Sequence, residues 1–122
     1  MPFDASVREI LSSAREVTIE TRAGSGRVVS TIIWIVVDDD DVFIRSVRGA
    51  GARWYSRMVA DPEVDIVAGD HRIAARGEGA SDDISVERAS RALIAKYSGR
   101  SLDAMLRPAT LPTTTRLVPA AG

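Results

Sequence analysis

Several residue types that carry common chemistries are absent or rare in this chain. The 122 residues include no cysteine, which excludes a disulfide framework, a thiolate nucleophile and a cysteine-ligated metal or iron–sulfur cluster. A single histidine, His71, gives too few imidazoles for a usual zinc site, and we assign it no role. We therefore expect a metal-free protein of the cytoplasm.

Long apolar runs and an excess of charge of one sign are also missing. The longest wholly apolar run, residues 32–37, is far shorter than the roughly 20 residues of a spanning helix, and no basic flank precedes an apolar N-terminal stretch. We expect no membrane span and no targeting signal. Sixteen Lys and Arg residues against 17 Asp and Glu residues give a net charge of −1, so we expect no general attraction to nucleic acid, and any anion recognition must be local.

The hydrophobic pattern predicts one α+β domain over residues 1–122. Apolar residues at helical spacing and β-branched runs alternate with short turns, which favours consecutive antiparallel strands. About six strands with two or three flanking helices predict a small antiparallel barrel, a split barrel, with the helices packed outside it. The predicted helices cover residues 3–11, 52–59 and 85–97, and the predicted strands cover residues 16–21, 28–37, 42–46, 64–68, 72–77 and 113–118.

The strand predicted over residues 28–37 is apolar on both faces from Ile32 onward. A meander covers only one face of such a strand with its own core. An exposed Ile/Trp/Val face would be a large patch for a monomer, so the pattern predicts a homodimer that buries it. Trp34 is expected in the core or at this interface.

A carboxylate-free window between Asp41 and Asp61 is the first candidate site. It carries four arginines and the bend Gly49-Ala50-Gly51, and it leads directly into a predicted helix N-terminus. Converging backbone N–H groups, a helix N-terminus and guanidinium groups are the components of a phosphate site. The alternative is a glycine-rich connection whose arginines are solvated or paired with the acidic turn at residues 38–41. The four arginines are Arg45, Arg48, Arg53 and Arg57.

Two further features could contact a flat ring near that window. Trp54 offers an aromatic wall, although adjacent aromatics at the start of an amphipathic helix are also common in cores. Ser30 and Thr31 bring polar groups to the long strand, where a ring edge could be read, although threonine is also an ordinary strand residue. No side chain is at a spacing typical of a nucleophile or an acid–base pair, so we name no catalytic residue.

The segment Val42-Phe43-Ile44-Arg45-Ser46-Val47-Arg48-Gly49, followed by Trp54-Tyr55 and Asp61-Pro62-Glu63-Val64, resembles the split-barrel flavin and deazaflavin oxidoreductases, the superfamily of pyridoxamine phosphate oxidase. The resemblance covers about residues 16–80 and is greatest for small actinobacterial-type proteins. It implies a homodimer with flavin at the interface. Ser46 and Arg48 match the Ser-x-Lys/Arg pair that holds the cofactor phosphate in such proteins, and residues 30–33 match the strand that lines the ring.

The first functional hypothesis is therefore an oxidoreductase that uses FMN or deazaflavin and transfers hydride to or from a small organic substrate. The alternative is a non-catalytic dimeric binding or sensing protein for a phosphorylated or planar ligand. It is motivated by Arg22-Ala23-Gly24-Ser25-Gly26, where deazaflavin reductases of this class carry further basic residues. The expected cofactor-binding residues are Ser30, Thr31, Ile32, Ile33, Arg45, Ser46, Arg48, Gly49, Arg53 and Trp54.

Overall fold

The computed structural model describes residues 2–120, which form seven β-strands, four α-helices and two short 3₁₀ helices. The strands are β1 (Val17–Arg22), β2 (Val28–Ile33), β3 (Val36–Asp38), β4 (Asp41–Ile44), β5 (Glu63–Ala68), β6 (His71–Gly79) and β7 (Thr115–Pro119). The α-helices are α1 (Ala5–Ser13), α2 (Arg53–Ala60), α3 (Asp83–Lys96) and α4 (Arg100–Met105), and the 3₁₀ helices are Gly49–Gly51 and Pro108–Thr113. None of the helices within residues 2–120 has the length and apolar composition that crossing a bilayer requires.

All seven strands belong to one antiparallel sheet in the order β2-β1-β5-β6-β7-β4-β3. β2 and β3 are thus the two edge strands, yet only Trp34 and Ile35 separate them in the chain. Since consecutive Cα atoms are about 3.8 Å apart, the ends of β2 and β3 lie within about 11 Å of each other. The sheet therefore curls into a barrel that is split where Trp34 and Ile35 bridge its edges, and we call this place the seam.

The seam explains why the barrel has seven strands, and the prediction of six is wrong. Residues 28–37 were expected to form one strand, but Ile35 is taken out of the ladder. Its N–H lies 3.4 Å from the Tyr97 hydroxyl and its carbonyl accepts a hydrogen bond from Lys96 Nζ at 2.7 Å. Because side chains at the end of α3 satisfy these backbone groups, the run can leave one sheet edge and enter the other.

The prediction of two or three helices also falls short of the four α-helices in residues 2–120. The missed helix is α4, which follows Gly99, a residue with φ of +88°. The helix prediction that ends at residue 97 did not extend to this segment. The turn expected at residues 38–41 joins β3 to β4, and the strands predicted over residues 64–68 and 72–77 form the hairpin of β5 and β6.

The second face of the sheet is covered in part by the chain itself, which corrects the expectation that it lacks an internal cover. Val36 and Phe43 pack with α3 and α4 in a second core, separate from the core inside the barrel. On β2, however, Val28 and Ile32 remain 54% and 67% exposed. The outer face of β2 thus keeps exposed apolar surface that could support a dimer.

Candidate functional site

A cleft of about 910 Å³ opens beside the seam, between the end of β2, the loop after β4 and the N-terminal ends of α2 and α4. Pockets of this size commonly hold small-molecule ligands and cofactors. Apolar side chains of Ile32, Ile33 and Val47 line part of it. The remaining wall is dominated by five arginines, namely Arg45, Arg48, Arg53, Arg57 and Arg100.

Positive charge accumulates in this cleft without internal neutralisation. Glu16 is the single carboxylate among the lining residues, and within residues 2–120 none of the five arginines forms a salt bridge. Elsewhere Arg72 and Arg88 each meet two carboxylates. The cleft is therefore suited to an anion supplied from outside the chain.

The acidic turn does not neutralise the arginine window, so that part of the alternative interpretation is wrong. Arg88 on α3 lies 2.6 Å from Asp38 and 2.7 Å from Asp41. Hydrogen bonds to both carboxylates raise the pKa of Arg88. Asp38 and Asp41 are thus engaged by α3, and Asp40 lies 3.5 Å from Arg8 of α1. Within residues 2–120 no window arginine forms a salt bridge with the turn.

The loop after β4 is fixed in shape by the turn around Gly49. Ser46 Oγ donates to the Gly49 carbonyl at 2.7 Å, and the Ser46 N–H donates to Thr113 Oγ1 at 2.9 Å. Gly49 has φ of +73°, and a Cβ there would meet the Ala109 carbonyl oxygen at 3.0 Å. Only glycine fits this left-handed position without strain. The turn presents Arg48, which is exposed, at the rim of the cleft.

The N-terminus of α2 adds backbone donors to the same wall. Its N-cap, Ala52, supplies no side-chain hydrogen bond, and its first turn contains no acidic residue. The first N–H groups of a helix lack intrahelical acceptors and carry partial positive charge. Ala52 and Arg53 both line the cleft, so this end of the helix and an exposed guanidinium group face one space.

Arg45 lies deeper, 2% exposed, and is bound to neutral groups. Its guanidinium group donates to Thr114 Oγ1 at 3.0 Å, Ser90 Oγ at 3.1 Å, the Val86 carbonyl at 3.1 Å and the Met105 carbonyl at 3.2 Å. Burial lowers the pKa of Arg45. Arg45 thus joins β4 to α3, α4 and the start of β7, and it forms the frame of the cleft.

Seven of the ten expected cofactor-binding residues line the cleft and three do not. Ser30 lies on the outer face of β2, opposite Glu20 of β1, and is exposed. Ser46 and Gly49 are buried within the turn. Cofactor contact by these three stays a prediction. The seven lining residues are Thr31, Ile32, Ile33, Arg45, Arg48, Arg53 and Trp54.

The sequence reasoning missed the wall formed by α4 and the indole at the seam. Arg100, Ser101 and Met105 line the cleft from α4, and Trp34 lines it from the seam. The apolar residues Leu102, Met105 and Leu106 are spaced as in a short amphipathic helix, so a signal for α4 was present. No local signal places this helix beside Arg48, since the two segments are about 50 residues apart.

Solved structures with the same fold include proteins of different kinds. A conserved hypothetical protein of Mycobacterium tuberculosis, Rv2991, has a TM-score of 0.75 and 18% identity, with coverage of 99% of this chain and 82% of that chain. The heme storage protein HutZ from Vibrio cholerae has a TM-score of 0.69 and 14% identity, covering 100% and 93%. A putative pyridoxamine 5'-phosphate oxidase from Listeria innocua has a TM-score of 0.68 and 14% identity, covering 95% and 92%.

These likenesses show that the chain shares the split-barrel fold of the pyridoxamine 5'-phosphate oxidase-like proteins, with seven strands in place of the expected six. No curated protein sequence matches the chain significantly. A match over residues 8–117 shows that the chain belongs to the family described as "Uncharacterized protein conserved in bacteria (DUF2255)".

Proposed function

We propose that this protein binds a phosphate-bearing flavin, FMN or a deazaflavin, in the cleft at the seam, and that it is an oxidoreductase acting on a small organic substrate. The observation that carries the proposal is the set of five arginines without carboxylate partners around one cleft. Burying or clustering cations without counter-ions is unfavourable, so an external anion stabilises the arrangement.

The phosphate end of the ligand fits the side of the cleft formed by the Gly49 turn and α2. Arg48 and Arg53 are exposed and supply charge-assisted donors, and the first N–H groups of α2 add fixed partial charge. Arg45 and Ser46 support this wall through their internal hydrogen bonds. Direct phosphate contact by either of them would require those bonds to be exchanged.

The ring end of the ligand fits the apolar side of the cleft. Ile32, Ile33 and Val47 give this side an apolar lining, and Thr31 lies in the same wall. A bound flavin supplies hydride transfer, so the protein needs only to position ring and substrate and to tune their electrostatics. This division of labour agrees with a cleft whose described lining includes no histidine.

The proposal includes a homodimer formed through the outer face of β2. Val28 and Ile32 are more than half exposed on this edge strand, and burying them against a second copy removes apolar surface from water. Sedimentation velocity tests this part: we expect a dimer that Ile32→Glu converts to a monomer. A monomeric parent protein contradicts it.

The cofactor site is tested by titrating the full chain with FMN and measuring the quenching of FMN fluorescence at each addition. A charge-assisted hydrogen bond contributes about 1.5–3 kcal/mol, so Arg48→Ala and Arg53→Ala should each weaken binding about tenfold to a hundredfold. Arg107→Ala is the matched control, because Arg107 is exposed and does not line the cleft. If all three variants bind FMN with the affinity of the parent protein, the arginine cluster is not part of the FMN site.

A non-catalytic binding protein is the second candidate, favoured by the presence of the heme storage protein HutZ among proteins of the same fold. Both candidates predict binding of a planar anion in the cleft. They differ in turnover: an oxidoreductase accelerates the reoxidation of bound reduced FMN by a two-electron acceptor. Binding without acceleration for any acceptor in a broad panel supports the second candidate.

A further inference from the structure

The seam holds a stacked pair of aromatic rings. The Trp34 and Tyr97 ring centroids are 3.8 Å apart and their planes differ by 3°. Tyr97 is 4% exposed and belongs to the second core, whereas Trp34 is half-buried and also lines the cleft. One face of the Trp34 indole is thus covered by Tyr97, while the residue still reaches the cleft.

Hydrogen bonds fix the ring beneath Trp34. The Tyr97 hydroxyl lies 2.7 Å from the Arg15 carbonyl and 3.2 Å from the Ile35 carbonyl, and it accepts from the Ile35 N–H at 3.4 Å. Burial raises the pKa of Tyr97, so the hydroxyl keeps its proton at neutral pH. Trp34 therefore rests on a ring that is held at its edge by three backbone groups.

The second indole of the cleft is placed differently. Trp54 is 7% exposed, belongs to the barrel core and meets Tyr55 edge-on, with centroids 6.0 Å apart and planes at 88°. Its ring surface is mostly covered by the protein. Of the two tryptophans, Trp34 has the more accessible ring.

From this geometry we infer that Trp34 is the platform on which the planar ring of the ligand stacks, with its other face supported by Tyr97. The inference rests on the proposed function and deepens it by assigning the ring end of the ligand to the seam. Indole is electron-rich and stacks well on electron-poor heteroaromatic rings. The arginine wall then holds the anionic end of the same molecule.

The test compares Trp34→Leu, Trp34→Phe and the control Tyr55→Phe in FMN titrations of the full chain, since Tyr55 does not line the cleft. Loss of a stacked ring should weaken FMN binding about tenfold in Trp34→Leu, in the range known for base–aromatic stacking, with a smaller loss in Trp34→Phe. Tyr55→Phe should bind FMN as the parent does. Inorganic pyrophosphate, which has no ring, should compete with FMN with the same inhibition constant in all four proteins.

Trp34→Phe keeps an aromatic ring on Tyr97, so it reports on stacking even if Trp34→Leu does not fold. An FMN affinity unchanged in both Trp34 variants, or a pyrophosphate constant weakened as much as that of FMN, overturns the platform. Pyranine, a pyrene trisulfonate, separates the two proposals if the parent protein binds no FMN. Pyranine binding that weakens in Trp34→Leu then keeps the platform while the flavin proposal fails, and absence of pyranine binding overturns both.

Discussion

Replacing Arg45 by methionine tests whether this residue frames the cleft or contacts the ligand. Methionine keeps an unbranched stem of similar length but removes every donor. In the parent protein those donors reach two hydroxyls, Thr114 and Ser90, and two carbonyls, Val86 and Met105. The substitution thus removes four hydrogen bonds that join four elements of the fold.

The loss in the free energy of unfolding depends on which hydrogen bonds each acceptor keeps when Arg45 is replaced. The Met105 carbonyl still accepts from the Thr110 hydroxyl at 2.7 Å, and the half-buried Ser90 hydroxyl can bond water. The Val86 carbonyl keeps its N–H donor within α3, and the Thr114 hydroxyl still donates to the Leu111 carbonyl at 2.8 Å. The loss is therefore the net contribution of the four bonds, about 0.5–1.5 kcal/mol each, and the relieved desolvation of the Arg45 guanidinium offsets part of it. We expect a loss of about 2–4 kcal/mol in the free energy of unfolding, which lowers Tm by roughly 10 °C.

Urea denaturation and FMN titration of Arg45→Met measure the two effects separately. If Arg45 is the frame, stability falls and FMN affinity at 15 °C changes by less than about threefold, because Arg48 and Arg53 retain the anion. Unchanged stability together with a hundredfold loss of FMN affinity would refute this reasoning. That result would instead identify Arg45 as a direct phosphate ligand.

Two further predictions concern stability. Burial lowers the pKa of Lys96 from 10.5 to about 8, so the unfolded chain binds more protons than the folded chain between these pH values. The free energy of unfolding should therefore rise with pH above 8, before Tyr97 titrates. Urea denaturation at pH 7.5 and 9.5 should show this rise in the parent protein and not in Lys96→Met. Gly49→Ala should lower the free energy of unfolding by about 1–3 kcal/mol, because it strains the left-handed turn and crowds the Ala109 carbonyl. The control Gly51→Ala should not, because no atom lies within 4 Å of a Cβ at that position. Equal Tm values for the two variants would contradict the described turn.

Local chemistry in the sequence was enough to predict most of the elements that surround the site. The turn at residues 38–41, the bend at Gly49 and the helix after it depend on neighbouring residues, and the structure contains them. The four arginines between Asp41 and Asp61 all line the cleft. These arginines have no carboxylate between Asp41 and Asp61 in the sequence, and among the described residues none of them forms a salt bridge.

What the sequence did not reveal depends on contacts between distant residues. The break at Ile35 requires Lys96 and Tyr97, which lie about 60 positions away, so no pattern within residues 28–37 could show it. The same distance hides the Trp34–Tyr97 stack. Arg45 shows the converse: its charge suggested a ligand contact, while its burial and partners come from α3, α4 and Thr114.

The central claim is that unpaired guanidinium groups in the cleft hold a phosphate, and the protonation of that phosphate measures this most directly. The second pKa of a free phosphate monoester is near 6, and surrounding positive charge favours the dianion. Phosphorus NMR of FMN with excess protein, followed from pH 7.5 to 5, should show a resonance that titrates well below the pKa of free FMN. If the phosphorus resonance of FMN titrates at the same pH with excess protein as it does without protein, the account is contradicted.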